Sequence, residues 1–334
     1  MSDANTIDPN DPRLSWPGAI SLQRSKEGWV MPWRVPFEQR GLFATPLVDG
    51  PAMAGAGVRL TFRSDTSSIG GQIVPQPGAG RLDLCCDGAF VTSVELADRE
   101  QFDFTGLPGG EKQIELWLPQ GSPFRLRSLT LDAGASLQAA EDTRPRWIVY
   151  GSSITQCGAA ERPTQTWPAI VARGHGLNLT CLGYGGQCHL DSMIARMMRD
   201  RPADYLSMCV GINIYGAGSL GPRAFRPAII GSVQILREQH PDTPLAVMSP
   251  IYSPPRETTE NAVGFTLQAM REEVAAAVEA LRAHGDTNTH YVDGLCIFGP
   301  EAAHLLPDNL HPNAEGYQLM GRNYLQHVAQ TLFV

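Results

Sequence analysis

The chain has 334 residues, of which 43% are apolar and 18% charged, with a formal net charge of −8. This length suits two domains, and the composition supports packed cores rather than disorder. No Lys/Arg-rich run is present to neutralise phosphates, which excludes a nucleic-acid partner, and the negative balance is unsuited to anionic membranes.

The first sixteen residues, Met1-Ser2-Asp3-Ala4 through Ser15-Trp16, are polar and acidic and read as an N-terminal arm. They lack the basic start and apolar run of a signal peptide, and no later stretch is apolar over the length of a bilayer span. The seven cysteines show no paired metal spacing, and the adjacent Cys85 and Cys86 are too constrained for an ordinary disulfide. An odd count without a secretion signal predicts free thiols in a reducing compartment, so a cytoplasmic, membrane-free protein is expected.

Residues 17–140 carry short period-two alternations. Val58, Leu60 and Phe62 alternate with Arg59, Thr61 and Arg63, the pattern of a half-buried strand, and Ile114, Leu116, Leu118 and then Leu129, Leu131 repeat it. Turn-rich stretches at Pro75–Gly80 and Leu107–Gly110 separate them, so this region is expected to be a β-sandwich.

From residue 145 to 334 the pattern changes to strand, loop, helix. Strands are expected at Trp147–Tyr150, Leu177–Leu182, Tyr205–Val210, Leu245–Ser249 and His290–Val292. A helix is predicted over Asn261–His284, where Leu267, Met270, Val274, Val278 and Leu281 form one stripe and Gly285 follows as a C-terminal stop. A last helix places Tyr317, Met320, Tyr324 and Val328 on one face behind an Asn313 cap. The alternation implies a parallel α/β sheet covered on both faces.

Ligands of such sheets bind beyond the carboxyl ends of the strands. There the sequence places Gly151-Ser152-Ser153-Ile154-Thr155, Gly183-Tyr184-Gly185-Gly186-Gln187 and Gly211-Ile212-Asn213, and before the last helix Asp308-Asn309-Leu310-His311-Pro312. A hydroxyl, an imidazole to take its proton, a carboxylate to orient the imidazole, and N–H donors for a developing oxyanion are the parts acyl transfer requires.

These four segments, in this order over residues 146–334, resemble the sequence blocks of the SGNH (GDSL-type) hydrolases. The resemblance implies a flavodoxin-like three-layer α/β/α domain. It also implies Ser153 as nucleophile, Asp308 and His311 as acid and base, and an oxyanion hole of the Ser153 and Gly186 backbones with the Asn213 side chain. Gly185 is the alternative donor if the loop register differs by one. The chain departs from the common spelling at Ser152, Cys181 and Ile214, where the family often has Asp, Asn and Asp. Some family members, carbohydrate esterases among them, carry a jelly-roll-like domain before the catalytic one. The run Gly80-Arg81-Leu82-Asp83-Leu84 resembles a G-x-D-L-Y element of theirs, with one extra residue and no Tyr.

The expected activity is a serine esterase cleaving short-chain carboxylic esters through an acyl-enzyme, with acetylated sugars favoured by the sandwich. General carboxylesterase, lipase-like or thioesterase action is the near alternative. The substrate is then a small molecule or an oligosaccharide ester, no cofactor or metal is needed, and a homo-oligomer is left open. Other readings weigh less: a metal site of His304, Asp308 and His311, a Cys157 nucleophile, a non-catalytic carbohydrate binder, or Asp293 as the acid. Trp167, Tyr184 and Tyr215 could line a pocket or simply pack in the core.

Overall fold

The period-two segments fall in strands of the computed structural model, which describes residues 5–334. In chain order these are β1 (Asn5–Ile7), β2 (Ser21–Arg24), β3 (Val30–Trp33), β4 (Arg59–Ser64), β5 (Ser68–Ile73), β6 (Arg81–Cys86), β7 (Ala89–Glu95), β8 (Gln101–Thr105), β9 (Lys112–Trp117) and β10 (Leu126–Leu131). They form two antiparallel sheets, one in the order β2-β3-β10-β5-β8 with β1 also on β10, the other β4-β9-β6-β7. Side chains from both sheets share one core, including Leu60, Phe62, Leu84, Phe102, Leu116 and Leu129. The sandwich is therefore closed by apolar burial between its layers.

Two expectations for this region are corrected. Residues 5–16 are no separate arm: β1 pairs with β10, Ser15 bridges to Thr61, and Ile7, Leu14 and Trp16 are buried in the core. Three widely spaced anchors in a polar stretch leave no periodicity to read. Residues 1–4 lie outside the described residues. The second correction concerns β4, which is buried on both faces rather than half-exposed. Its Arg59 guanidinium lies over the Trp117 ring at 4.9 Å, donates to the Gly57 carbonyl at 3.1 Å and faces Asp142 at 3.8 Å. Cation–π contact and hydrogen bonds thus substitute for water around a charge that the alternation placed outside.

The chain divides into two compact units, one reaching Thr143 and including Arg162–Thr164, the other holding Arg144–Glu161 and Gln165–Val334. Within the first, buried Asp83 accepts from the Ser93 hydroxyl at 2.6 Å and from the Thr164 N–H and hydroxyl at 2.9 and 2.6 Å.

The second unit is built on β11 (Arg146–Gly151), β12 (Asn178–Gly183), β13 (Tyr205–Cys209), β14 (Leu245–Met248) and β15 (Thr289–Val292). All pairings are parallel, in the order β12-β11-β13-β14-β15. This is the flavodoxin-like order, which reverses direction at β11 and opens a crevice there. Helices Trp167–His175 and Ala314–Tyr324 pack together, as do Ser192–Arg199, Pro222–Arg237 and Leu267–Ala283 in sequence. Leu267, Met270, Val274, Val278 and Leu281 are all buried, as are Tyr317, Met320, Tyr324 and Val328. Asn313 caps the last helix by accepting from the Gly316 N–H.

The helix expected from Asn261 begins instead at Leu267. Thr266 is its cap, while the Asn261 side chain accepts from the Val263 and Phe265 N–H groups and donates to the Tyr215 carbonyl. An asparagine that can bond its own downstream backbone makes a turn instead of a first helical residue.

In the sandwich, Asp132 accepts from the Ser67 N–H and hydroxyl at 2.6 and 2.7 Å, the Ser68 N–H at 3.1 Å, the Ser68 hydroxyl, and the Thr66 hydroxyl at 3.1 Å. Bonds from the Ser68 and Ser67 hydroxyls, then the Ser67 N–H, hold its carboxyl well below the usual carboxylate range. A lowered folded-state pKa means the stabilisation is full above the ordinary carboxylate value and is lost as pH falls through the folded one. Asp132→Ala is expected to cost about 1–3 kcal/mol near neutral pH. Thermal unfolding should show that deficit narrowing on acidification.

Candidate active site

Strand β11 ends at Gly151, and Ser152 turns the chain into a single helical turn, Ser153–Gln156. The Ser152 hydroxyl accepts from the Ile154 N–H at 3.2 Å, and Cys157 closes the turn in the left-handed region at φ 62°. Ser153 is the first residue of that turn, so its N–H has no intrahelical partner. The turn lies so close to the end of β12 that a Cβ on Gly183 would stand 2.3 Å from the Gln156 nitrogen. Only glycine fits there.

The loop after β12 is tied back by the Tyr184 N–H donating to the Gly151 carbonyl at 2.8 Å. Its turn closes from the Gln187 N–H to the Tyr184 carbonyl at 3.0 Å, with Gly186 at φ 70°. This is the positive-φ position of a type II turn, where glycine is favoured. The Gly185 N–H donates to Gln156 Oε1 at 2.8 Å. The Gly186 N–H has no protein partner among the described residues, so the two candidate donors separate: Gly185 is occupied, Gly186 is free.

Asn213 lies in the short helix Ile212–Ala217 that follows β13. Its Oδ1 accepts from the Cys188 N–H at 3.0 Å. That donor fixes the orientation of the amide, leaving Nδ2 without a protein partner among the described residues.

The Asp308–His311 loop meets these groups from the other side of the crevice. Asp308 Oδ1 accepts from the Leu310 and His311 N–H groups at 3.0 and 2.7 Å, and Oδ2 lies 2.6 Å from His311 Nδ1. His311 Nε2 is 2.8 Å from Ser153 Oγ. Burial alone would push the Asp308 carboxyl up, but the bonds from the His311 ring and the two N–H groups outweigh it and hold the group at about 2. A carboxylate only accepts, so Nδ1 carries the ring proton and Nε2 is free to accept from the Ser153 hydroxyl.

The structure joins Ser153, His311 and Asp308 by hydrogen bonds, sets Gly185 against Ser153 and ties Asn213 to Cys188, two residues beyond Gly186. Asp293 is elsewhere employed, capping the Leu295 N–H. His304 Nδ1 faces the Glu301 carbonyl, and among the described residues no group of His, Cys, Asp or Glu is placed to hold a metal ion. Cys157 is fully buried, its thiol directed at the Ile154 and Thr155 carbonyls, and burial pushes it well above an ordinary thiol, while Cys188 is pushed up to about 12 by the same cause. Neither resembles an activated thiol. Trp167 and Tyr184 are fully buried and Tyr215 nearly so, its hydroxyl donating to the Thr259 carbonyl.

Three contacts had no signal in the motifs. One is the Gln156 amide on Gly185. The second is His189, whose Nε2–H donates to the Gly186 carbonyl at 3.0 Å while Nδ1 accepts from the Ser219 hydroxyl at 2.8 Å. The third is a pair, Ser253 and Arg256, that reaches the Asn309 carbonyl. Gln156 stands three residues after Ser153, on the same turn, and could have been suspected. The others are brought in only by folding.

A small, mainly apolar cavity of about 20 Å³ lies beside the turn, lined by Ile154, Ile212, Met248, Pro250 and Leu310 among others. A far larger one of about 710 Å³ lies along β15 with Val278, His290, Cys296 and His327 on its walls, and includes none of the groups above. Neither cavity is lined by Ser153, Gly186, Asn213, Asp308 or His311; the small one adjoins them through the chain neighbours Ser152, Ile154 and Leu310.

Residues 144–329 match the model of the GDSL-like lipase/acylhydrolase family, and residues 14–127 match that of the SsfX3 N-terminal domain. The salicylyl-acyltransferase SsfX3 from a tetracycline biosynthetic pathway is 37% identical, with a TM-score of 0.91 over 98% of this chain and 97% of that one. A putative GDSL-like lipase from Bacteroides ovatus is 22% identical, with a TM-score of 0.79 over 99% and 98% of the two chains. A family two carbohydrate esterase from Cellvibrio japonicus is 15% identical, with a TM-score of 0.69 over 100% and 99%. No curated protein matches the chain by sequence. No helix among the described residues is long and apolar enough to cross a membrane.

Gly183→Ala is expected to destabilise the second unit by about 1–3 kcal/mol or more, because the clash is with backbone that cannot yield. A fall in the thermal midpoint measures it, and a wild-type midpoint would contradict the close approach.

Proposed function

Because the chain belongs to the GDSL-like lipase/acylhydrolase family and is a serine ester hydrolase of the two-domain type, we propose that Ser153 is its nucleophile, His311 its base and Asp308 the orienting acid. The observation that carries this reading is the unbroken relay from Ser153 Oγ through His311 to Asp308, at 2.8 and 2.6 Å, beside N–H groups with no protein partner.

In the proposed reaction, His311 Nε2 takes the Ser153 proton as Oγ bonds to the ester carbonyl carbon. The oxygen that becomes negative accepts from the Ser153 and Gly186 N–H groups and Asn213 Nδ2, donors that no other protein group occupies. Collapse breaks the bond to the alcohol, which leaves with the proton from His311. Water, deprotonated by the same imidazole, then attacks the acyl-Ser153 ester and releases the acid.

The likeness to carbohydrate esterases is one of fold, and acetylated sugars are one candidate substrate on that ground. A second reading is acyl transfer. The relative at 37% identity over nearly the full length is an acyltransferase, and an acyl-enzyme attacked by an alcohol hydroxyl in place of water gives a new ester by the same chemistry. Hydrolysis and transfer thus share every residue named above and differ only in what reaches the acyl-enzyme.

With p-nitrophenyl acetate, Ser153→Ala is expected to lose on the order of 10⁴–10⁶ in kcat. Asn213→Ala is expected to lose roughly 10²–10³. Wild-type turnover by Ser153→Ala would end the reading. Adding a short alcohol tests the second one: ester product formed at the expense of acid supports transfer, and acid alone supports hydrolysis.

The pH profile follows from Asp308. Its lowered value keeps the carboxylate charged until pH falls towards about 2, so the acid-side loss of kcat/KM is expected to follow a single proton. A two-proton limb in the ordinary carboxylate range, near pH 4, would show that Asp308 is not held as described.

A further inference from the structure

The acid and base are carried by a loop rather than a strand or helix. Most of the hydrogen bonds of residues 308–311 are made within the loop itself, from Asp308 to the Leu310 and His311 N–H groups and from the Asn309 N–H to the Leu306 carbonyl. Asn309, between acid and base, has φ 60°, in the left-handed region that asparagine adopts more readily than most residues. Local bonds shape such a loop but do not fix its distance from Ser153.

Among the described residues, the hydrogen bonds that reach 308–311 from outside residues 303–313, apart from that of Ser153 itself, both end on the Asn309 carbonyl. The Ser253 hydroxyl donates to it at 2.6 Å and Arg256 Nη1 at 3.1 Å, and Arg256 Nη1 also donates to Ser253 Oγ at 2.9 Å. Ser253 is buried and held in turn. Its N–H donates to Glu257 Oε1 at 3.0 Å, and the buried Glu257 carboxylate receives both arms of the Arg271 guanidinium at 2.7 and 2.8 Å. Arg271 Nε donates to the Pro250 carbonyl at 2.9 Å, and its backbone lies in the long helix Leu267–Ala283, whose apolar stripe is buried in the second unit. A chain of bonds therefore runs from a rigid helix, through a buried ion pair, to the one carbonyl lying between Asp308 and His311.

We propose that Ser253, backed by the Glu257–Arg271 pair, is a positioning residue that sets the distance of His311 from Ser153 by holding the Asn309 carbonyl. The inference rests on the triad reading above. The Ser253 hydroxyl makes no hydrogen bond to Ser153, Asp308 or His311; it is committed to the Asn309 carbonyl and reaches the triad through the loop. Misplacement of a reacting group by about 1 Å can cost on the order of a hundredfold in rate, so a tether of this kind acts on turnover rather than on substrate affinity.

The test compares Ser253→Ala and Ser253→Thr with the wild-type full chain on p-nitrophenyl acetate. The extended backbone of Ser253 (φ −149°, ψ 99°) accepts a β-branched threonine, which keeps the hydroxyl. Ser253→Ala is expected to lower kcat about tenfold to a hundredfold with KM changed by less than about twofold. Ser253→Thr should recover most of that loss. The downfield proton resonance of the His311 ring N–H on Asp308 should weaken in the alanine variant and return in the threonine variant. Wild-type kcat in Ser253→Ala, a loss residing in KM, or an equal loss in both variants would overturn the proposal. Ser153→Ala run alongside separates the two failures: full turnover without the Ser153 hydroxyl overturns the catalytic reading, whereas a Ser153-dependent enzyme indifferent to Ser253→Ala overturns the tether alone.

Discussion

A 2.8 Å hydrogen bond between Ser153 and His311 joins residues 158 positions apart and is the contact on which the site depends. It exists because a parallel sheet sends every strand's carboxyl end to the same edge, and because the order β12-β11-β13-β14-β15 reverses direction at β11. The nucleophile candidate leaves the middle of that edge, the glycine loop leaves one side of it, and Asn213 and the Asp308 loop approach from the other. Four polar segments that are each unremarkable alone become a constellation through topology. The imidazole's role follows from direction: with the Asp308 carboxylate on Nδ1–H, the neutral ring turns its acceptor nitrogen to Ser153.

The same edge shows how tightly the backbone is packed to keep donors free. A helical turn starting at Ser153 exposes an N–H that the helix cannot use. Gly183 lets that turn press onto β12, the Gln156 amide on the turn takes up the Gly185 N–H, and the Gly186 N–H is left over. The His189 ring then grips the Gly186 carbonyl. Gly186 is exposed and Ser153 and Asn213 are half-buried, so these uncommitted donors are open to water or to a ligand oxygen. Asn213 follows the same logic, with its oxygen committed to Cys188 and its nitrogen uncommitted.

The first unit uses different physics. Its core is apolar burial between two antiparallel sheets, and its polar oddities are satisfied one by one: Arg59 over Trp117, Asp83 among hydroxyl and amide donors, and Asp132 gathering the Thr66–Ser68 turn. Among its described residues nothing resembles the donor-rich edge of the second unit, on which the proposed acyl chemistry rests. The matched families follow the same division, one to each part of the chain.

Much of this was legible before any coordinates. Strong periodicity marked β4 and β9, whose alternate side chains are apolar although both faces are buried, and the Leu267 stripe, where burial of one helix face imposes it. The segments around Ser153, Gly186, Asn213 and Asp308–His311 stood out because glycines and polar residues sit where strands end, and the resemblance to SGNH hydrolases singled out these residues within them. What escaped was whatever lacks a repeat: the anchors Ile7, Leu14 and Trp16 in a polar stretch, and the turn at Asn261 that delays a helix to Leu267. By itself the sequence determined the two fold types, their order and the chemical parts of the site, since these follow from composition and local pattern. Only the tertiary structure decided that Gly186 rather than Gly185 keeps its N–H free, that Asp308 rather than Asp293 meets the imidazole, and that Ser253 reaches Asn309. Each of those depends on the direction of a hydrogen bond between segments far apart in the chain, and direction is a property of three-dimensional placement that no local pattern encodes.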